Sequence, residues 1–335
     1  MYFVTPSNTQ PYLTTKNKMD VTDKKYRMVA FDLDGTLLGP DHEISDYSVQ
    51  YLRSLHQKGL IISIATGRSP AATAEVIRRL NLEFPKPHSE GFPVVTTNGA
   101  KGIHVCHDTT VDEVEEKKAG DGNPMIDGRM KVTELFHQPV PLELTKKTLK
   151  VAKEIGCVTN YYIGHEIYAQ VLNDWHLEAT KKYSNLTGVD FTYCKDDYQE
   201  AMAKGLPSKL LVLCEPHSID DTYHKVEEAL GHEAKVIRGS PPFFVEVLNK
   251  IVNKGSGLEL LCEKLGVDIS DCIAFGDGDN DIEFIEKSGL GVAMKNARET
   301  LKNVADEVTE YCNREDGAIR MLERLESEDK LCFGS

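Results

Sequence analysis

Four short apolar runs share one pattern: a continuous hydrophobic stretch of strand length that ends in Asp, Thr, Asn or Gly. They are residues 27–34 (RMVAFDLD), 60–68 (LIISIATGR), 93–99 (PVVTTNG) and 272–281 (CIAFGDGDND). Continuous rather than alternating apolarity is typical of strands that are buried on both faces, as in a parallel sheet. The pattern therefore predicts a parallel sheet whose polar residues gather where the strands end.

Helical patterns lie between these runs. Residues 45–57 and 69–80 begin with Ser45 and Ser69, which suit the N-cap position, and Gly59 provides a stop after the first helix. Strand–helix alternation requires right-handed crossovers. We therefore expect an α/β fold with a Rossmann-like, doubly wound parallel sheet. Ligands bind to such sheets beyond the carboxyl ends of the strands.

The middle of the chain breaks this alternation. Residues 103–127 are polar without a sustained period, and they predict a long loop or a hairpin excursion. Further along are helix patterns at 142–155, 176–185 and 219–230, a hairpin across Gly164 and His165, and strand patterns at 206–215, 234–239 and 243–249. This mixture predicts an inserted α+β domain.

The length of 335 residues suggests two domains. We expect a core built from residues 25–100 and 249–335, with the α+β insert over residues 101–248. The core would also contain helices at 256–265 and 316–325. Residues 1–24 lack the apolar segment of a secretory signal, and we expect a flexible tail, with an organelle-targeting remnant as the alternative.

Charge and cysteine usage narrow the function classes. The chain has 39 Lys and Arg against 53 Asp and Glu, a net charge of −14, which argues against nucleic acid or an anionic membrane as partner. No apolar run approaches the ~20 residues that cross a bilayer. Eight cysteines form no CxxC or CxxxxC pair, which favours free thiols in a reducing, cytoplasmic compartment.

Two acidic clusters directly follow predicted strands. Asp32 and Asp34 precede Gly35, and residues 276–281 read GDGDND. Taken alone, the first cluster also suits an Asp-Gly turn. Two such strand ends would gather several carboxylates, which become tolerable beside a hard cation with oxygen ligands.

The second cluster does not fit a calcium-binding EF-hand. The sixth position of such a loop requires Gly and the twelfth Glu, but Ile282 and Ser288 stand there. Mg²⁺ held by one or two carboxylates and a substrate phosphate fits these residues better.

Other residues suit a phosphate group. Thr66, Gly67 and Arg68 offer a hydroxyl, amides near a helix start and a guanidinium. Lys254 lies at a second helix start, although a lone lysine is more often a surface residue. No Walker A pattern occurs, which excludes a P-loop NTPase. Together with the acidic clusters, these groups favour phosphoryl transfer through an Asp nucleophile and a second carboxyl group.

The sequence resembles the haloacid dehalogenase superfamily, and within it the Cof-type phosphatases with a large C2-type cap. All four superfamily motifs occur in order, as FDLDGT, IATGR, KG and FGDGDND. Residues 96–100 (TTNGA) and 291–297 (GVAMKNA) match further family segments, and the resemblance covers residues 26–325. It implies that the inserted domain is a cap over the active site.

The resemblance also implies roles for single residues. Asp32 corresponds to the nucleophile and Asp34 to the general acid/base, whose backbone carbonyl also binds Mg²⁺. Asp277 corresponds to a direct metal ligand, and Asp281 supports the metal site indirectly. The phosphate-binding positions are Thr66, Lys254 and Asn280, the substrate-side positions are Gly67, Arg68, Asn98 and Gly99, and Thr36 fixes the loop after the nucleophile.

We therefore expect a Mg²⁺-dependent phosphatase that hydrolyses a small phosphorylated metabolite, such as a sugar phosphate. A phosphomutase resembling phosphomannomutase and a non-catalytic metal- or phosphate-binding module are the alternatives, and the oligomeric state stays open. Four cap residues either face the substrate pocket or belong to the cap surface and core: His165, Glu166, Trp175 and His176.

Overall fold

A computed structural model describes residues 24–80, 91–107, 130–164, 166–239 and 241–334. Its strands are β1 (Met28–Phe31), β2 (Ile61–Ala65), β3 (Phe92–Thr96), β4 (Lys101–His107), β5 (Met130–His137), β6 (Val158–Ile163), β7 (Glu166–Ala169), β8 (Phe191–Tyr193), β9 (Lys209–Leu213), β10 (Ala234–Arg238), β11 (Phe244–Asn249), β12 (Cys272–Gly276), β13 (Leu290–Ala293) and β14 (Glu307–Val308).

Helices connect most of these strands. In chain order they are α1 (Asp46–Gln57), α2 (Pro70–Leu80), α3 (Leu142–Glu154), α4 (Asp174–Thr187), α5 (Gln199–Lys204), α6 (Ile219–Leu230), α7 (Lys254–Leu265), α8 (Ile282–Lys287), α9 (Glu299–Lys302) and α10 (Gly317–Ser327). Ser45 caps α1 as expected, since its side chain accepts a hydrogen bond from the Ser48 amide.

Over the described residues, the larger sheet has eight strands in the order β14-β13-β12-β1-β2-β3-β4-β5. From β14 to β3 all neighbours are parallel, and the strands alternate with helices. The side chains of β1, β3 and β12 are buried on both faces, in accord with their continuous apolar pattern. The predicted α/β fold with a doubly wound parallel sheet is thus confirmed.

The sheet extends further along the chain than the sequence pattern predicts. β4 and β5 form an antiparallel pair on the edge next to β3, so residues beyond 100 belong to this sheet. The predicted loop from residue 103 is therefore wrong over β4. The alternative prediction, a hairpin, agrees with the antiparallel pairing of β4 and β5. β4 was not predicted because its polar and apolar residues alternate, whereas β1, β2, β3 and β12 were recognised by continuous apolar runs. Residues 108–127 of the expected loop lie outside the described residues.

The smaller sheet has six strands in the order β10-β11-β9-β6-β7-β8 and is antiparallel except for the pair β7–β8. The hairpin β6–β7 forms across Gly164 as expected. One face of this sheet packs on α3 and α6 around residues such as Tyr161, Leu210 and Val245. The other face carries a second apolar cluster that includes Tyr183 of α4. β8, α5 and β14 were not predicted because each is short.

The described cysteines are all free thiols, in agreement with the absence of spaced pairs. Cys194, Cys214, Cys262 and Cys272 are buried and the other four are half-buried. Among the described residues, no helix combines the length and apolarity that crossing a bilayer requires.

Candidate active site

The carboxyl ends of β1 and β12 lie side by side. The two strands pair in parallel with Phe31 opposite Phe275, and the Asp32 amide donates to the Phe275 carbonyl at 2.9 Å. This register places Asp32 and Asp277 at neighbouring strand ends, although they lie 245 residues apart in the sequence. The sheet therefore brings the two predicted acidic clusters together.

Three carboxylates form a compact group at this edge. Asp32, Asp277 and Asp281 each offer one oxygen, and these oxygens all lie within 4.8 Å of one another. Asp281 is fully buried, and Asp32 nearly so. An all-oxygen, carboxylate-rich donor set is what a hard divalent cation such as Mg²⁺ prefers.

Lys254 is the cation that the chain itself provides here. Its ammonium donates to Asp281 Oδ1 at 2.6 Å and to Asp32 Oδ1, and only 1% of the residue is exposed. Burial alone would lower the pKa of Lys254, but the two carboxylates outweigh it and raise that pKa. The side chain stands at the start of α7, where Asn253 and Ser256 form a capping box.

Asp281 is held by the loop that carries it. Its Oδ2 accepts hydrogen bonds from the Asp277 amide at 3.0 Å and the Gly278 amide at 2.9 Å, while Oδ1 accepts from Lys254. These bonds occupy much of its acceptor capacity. The geometry therefore suits a carboxylate that orients the loop and Lys254. Its indirect role at a metal stays a prediction.

The protein alone leaves this group with excess negative charge. Burial, reinforced by Asp281 and Asp277, raises the pKa of Asp32 well above its usual range, while Lys254 opposes the shift. The pKa of Asp277 is raised as well, by burial and by Asp281, against a hydrogen bond from Thr36. A bound divalent cation would favour the ionised form of both carboxyl groups. The residues present thus fit a metal.

The loop after Asp32 is shaped around Asp277. Gly35 has φ of +83°, and a Cβ there would lie 2.3 Å from Asp277 Oδ2. Thr36 Oγ1 donates to Asp277 Oδ1 at 2.9 Å, so it links the loop after Asp32 to the second acidic loop. Asn296 Nδ2 donates to the Gly35 carbonyl at 2.8 Å, a contact that the sequence did not indicate.

Asp34 lies apart from the carboxylate group in its contacts. Its side chain is paired with Arg68, whose Nε donates to Oδ2 at 2.8 Å, and with His42 Nδ1 at 2.9 Å. Burial would raise the pKa of Asp34, but the bonds from Arg68 and His42 lower it. In this conformation both bonds favour the ionised form of Asp34, which makes it a weaker base than a free carboxylate. His42 belongs to none of the sequence motifs, so its contact with Asp34 could not be predicted from the sequence.

The loop after β2 is tied to the turn after β3. Thr66 is buried, and its Oγ1 accepts from the Arg68 amide at 3.2 Å. The Thr97 amide donates to the Arg68 carbonyl at 2.9 Å, and the Asn98 amide donates to the Thr66 carbonyl at 3.0 Å. The predicted phosphate loop is therefore fixed by backbone bonds.

The same turn contacts the other loops. Asn280 Nδ2 donates to Asn98 Oδ1 at 3.2 Å, and a Cβ at Gly67 would lie 2.9 Å from that oxygen. Gly99 has φ of +101°, and a Cβ there would meet the Asn253 carbonyl oxygen at 2.0 Å, next to Lys254. The substrate-side residues predicted from the sequence thus lie together and adjoin Lys254.

The cap residues considered from the sequence do not form a group. Glu166 forms an ion pair with Lys204 at 2.7 Å, and Trp175 Nε1 donates to Glu215. His176 is buried and contacts backbone groups of Leu172 and Gly156. These contacts agree with cap surface and cap core. His165 lies outside the described residues.

Comparison with known sequences identifies the family. The family profile for haloacid dehalogenase-like hydrolases matches residues 29–118 and 126–322. A 5-amino-6-(5-phospho-D-ribitylamino)uracil phosphatase of Bacillus subtilis is 28% identical, covering 90% of this chain and 97% of its own. A phosphoglycolate phosphatase of Methanopyrus kandleri is 25% identical, covering 90% and 98%.

Solved structures agree with the sequence comparison. A crystal structure from Thermotoga maritima superimposes with a TM-score of 0.71 at 27% identity and covers 89% of this chain and 97% of that one. A haloacid dehalogenase-like hydrolase from Bacteroides thetaiotaomicron gives 0.70 at 24% identity, covering 90% and 100%. The resemblance and the expectation of an enzyme are confirmed: this chain belongs to the haloacid dehalogenase-like hydrolases.

Proposed function

We propose that this protein is a Mg²⁺-dependent phosphatase that hydrolyses a small phosphorylated metabolite through an aspartyl-phosphate on Asp32. The observation that carries the proposal is the approach of the Asp32, Asp277 and Asp281 oxygens around the buried ammonium of Lys254. A carboxylate nucleophile, metal-ligating oxygens and a phosphate-binding cation are then present at one edge of the sheet.

Asp32 and Asp34 divide the chemistry. A carboxylate oxygen of Asp32 attacks phosphorus, and the bond between phosphorus and the leaving oxygen breaks. Asp34 then gives its proton to the leaving alkoxide and later takes one from the water that hydrolyses the acyl phosphate. Because Arg68 and His42 hold Asp34 ionised in this conformation, its protonation requires that substrate binding loosens those contacts.

Asp32, Asp277 and the backbone carbonyl of Asp34 would hold the metal, with Asp281 in support. When bound, Mg²⁺ neutralises carboxylate and phosphate charge and so permits their approach. Lys254 and Thr66 would bind the phosphoryl oxygens, and Asn280 would assist them through its position beside Asn98.

The smaller sheet would act as a cap. We propose boundaries at residues 138–248 rather than 101–248, because β4 and β5 belong to the larger sheet. The two linkers meet here, because Asn249 Nδ2 donates to the Pro139 carbonyl at 2.9 Å. Closure over the core would exclude water from the reacting phosphate.

The relatives support hydrolysis rather than the phosphomutase or the non-catalytic module, since they carry phosphatase names. Their named substrates differ: one is the phosphate ester of a ribityl chain and the other is phosphoglycolate. Either is a small phosphorylated metabolite. The relatives therefore support the reaction class, and a sugar phosphate or similar ester remains our proposal for the substrate.

The test is an isosteric change at the nucleophile. Asp32→Asn should lower kcat on p-nitrophenyl phosphate with Mg²⁺ by on the order of a thousandfold or more. Asp279→Asn is the matched control, because Asp279 lies in the neighbouring loop but binds Arg298 and Thr300 instead. Turnover by Asp32→Asn at the level of the control would disprove the nucleophile assignment.

A further inference from the structure

Two cysteines face each other at the ends of neighbouring strands in the smaller sheet. β6 and β9 are antiparallel, with Val158 opposite Leu213. Cys157 precedes Val158 and Cys214 follows Leu213, so the same register sets the two cysteines opposite each other, although they lie 57 residues apart in the sequence. Directly opposed residues project to the same face of a sheet. Both thiols therefore point to the face that packs on α3 and α6.

The backbone hydrogen bonds show which type of strand pair this is. The Cys214 amide donates to the Phe243 carbonyl, beside β11, at 2.9 Å, and the Cys157 amide donates to the Ala152 carbonyl of α3 at 2.8 Å. Neither amide bonds to the other cysteine, as in a non-hydrogen-bonded pair, whose Cα atoms are about 4.5 Å apart. Disulfides span about 4.4–6.8 Å between Cα atoms. The backbone thus permits an S–S bond between these two residues.

A side chain of α6 gives independent evidence that the two sulfur atoms are close. Thr222 is buried, and its hydroxyl is near enough to both thiols to lower the pKa of each against the opposing effect of burial. One hydroxyl group can contact two sulfur atoms only if they are neighbours. The effect of Cys214 on the pKa of Cys157 points to the same proximity.

The two thiols differ in their access to solvent. Cys157 is half-buried, whereas only 4% of Cys214 is exposed, so a reagent reaches Cys157 first. Burial, reinforced by Cys214, raises the pKa of Cys157 to about 11, and burial raises the pKa of Cys214 as well. Because the thiolate is the reacting form, exchange at these thiols is slow at neutral pH and faster in alkaline buffer.

We propose that Cys157 and Cys214 are a site of redox modification, at which a low-molecular-weight disulfide such as oxidised glutathione converts them to a reversible cross-strand disulfide. The inference does not depend on the proposed function, because both residues belong to the smaller sheet and neither contacts the carboxylate group of the larger one.

The reaction consists of two thiol–disulfide exchanges. The thiolate of Cys157 attacks one sulfur of the reagent, whose S–S bond breaks, and this forms a mixed disulfide and releases one glutathione thiolate. The thiolate of Cys214 then attacks the Cys157 sulfur and releases the second glutathione. The two protein thiols lose two electrons and two protons, and one molecule of oxidised glutathione takes them up as two molecules of reduced glutathione.

The test maps the disulfides of the intact protein. The chain is incubated with oxidised glutathione at pH 8.5, quenched with acid, alkylated in denaturant, digested and analysed by mass spectrometry. We expect a peptide linked through Cys157 and Cys214 to account for most of the recovered Cys157. Cys262 and Cys272 are the internal control, because their thiols also interact but are 1% and 0% exposed. They should be recovered alkylated.

Single variants separate the roles of the two thiols. In Cys214→Ser, Cys157 should retain glutathione as a mixed disulfide, because the resolving thiol is missing. In Cys157→Ser, Cys214 should stay reduced, because the accessible thiol is missing. Cys106→Ser is the matched control at another half-buried cysteine, and it should form the linked peptide as the wild type does.

Thermal unfolding gives a second measurement. A link across 57 residues restricts the unfolded chain, so oxidation should raise the melting temperature of the wild type and of Cys106→Ser by about 5 °C or more. Oxidation should leave the melting temperature of Cys214→Ser without this rise. A rise of equal size in Cys214→Ser would overturn the proposal.

Refolding from urea in the same glutathione buffer removes the barrier of access, because every thiol is exposed before the chain folds. The refolded chain should again contain the Cys157–Cys214 link. A stable mixed disulfide on Cys157 of the native wild type, or recovery of both residues as free thiols from the soluble, refolded chain, would overturn the proposal.

Discussion

Lys254 connects stability to chemistry at the scale of a single side chain. Its ammonium is the partner of two buried carboxylates, Asp32 and Asp281. In the absence of metal, Lys254→Met should lower the free energy of unfolding by about 3–5 kcal/mol, because it leaves those carboxylates buried without their cation. Urea unfolding in a chelating buffer measures the effect.

The control for this change is Lys250→Met, four residues earlier and exposed. It should change the free energy of unfolding by less than about 0.5 kcal/mol. Equal unfolding midpoints for the two variants would contradict the role assigned to Lys254.

His137 provides a pH-dependent effect of a single residue. Burial, and the nearby charge of Lys101, lower the pKa of His137 from 6.5 to about 4. Between these values the unfolded chain binds a proton that the folded chain does not, so acidification from pH 6.5 towards pH 4 destabilises the fold. Above this window the contribution is constant.

His137→Gln removes this titration, and an amide at this position can still reach the Ser208 hydroxyl, which lies 2.9 Å from His137 Nε2. We expect the melting temperature of the wild type to fall more steeply than that of the variant as the pH drops through the window. Parallel curves would show that the imidazole titrates normally in the folded protein.

At the scale of elements, the shape of the loop after β1 depends on Gly35. A Cβ at this position meets Asp277 and requires the positive φ that L residues avoid. We expect Gly35→Ala to reduce kcat/KM on p-nitrophenyl phosphate at least tenfold, because Asp277 must move. Steady-state kinetics at saturating Mg²⁺ provides the measurement.

Gly188→Ala separates backbone strain from displacement of Asp277. Gly188 also has a positive φ, +68°, at the end of α4, but a Cβ there would contact nothing within 4 Å. This control should cost about 1 kcal/mol of stability and keep its activity. Equal losses of activity in both variants would indicate that strain alone explains the result.

The sequence patterns predicted elements well where one period dominated. Strands such as β1 and β12 are buried on both faces, so apolarity alone marked them. β4 was missed because it alternates, with Lys101 and His104 buried among apolar residues. A search for continuous runs does not recognise such a strand. β8 and α5 were too short for any period to be established.

The motifs predicted several residues that the fold brings together, but not how those residues pair. The register of β1 and β12 brought Asp32 and Asp277 together, as their positions after predicted strands suggested. The contact of Asp34 with His42 depends on how one loop folds back, which no spacing encodes. That the Asn160 amide has no hydrogen-bond partner among the described residues is likewise a property of tertiary packing.

At the scale of the whole molecule, metal binding and folding should be linked. Asp32 and Asp277 lie on separate strands and converge only in the folded chain. Mg²⁺ should therefore raise the melting temperature, with stabilisation of about 2.7 kcal/mol at a hundredfold excess over Kd. Asp277→Asn should lose most of this effect, whereas Asp279→Asn should retain it. Thermal shifts of equal size in both variants would place the metal elsewhere.

The central claim is that Asp32 carries the phosphoryl group during turnover. The most direct measurement quenches the reaction of the intact protein with acid, reduces any acyl phosphate with borohydride and locates the modified peptide by mass spectrometry. We expect the modification on Asp32, dependent on Mg²⁺ and absent from Asp32→Asn. A modification on another residue, or none while this variant still turns over substrate, would contradict the account.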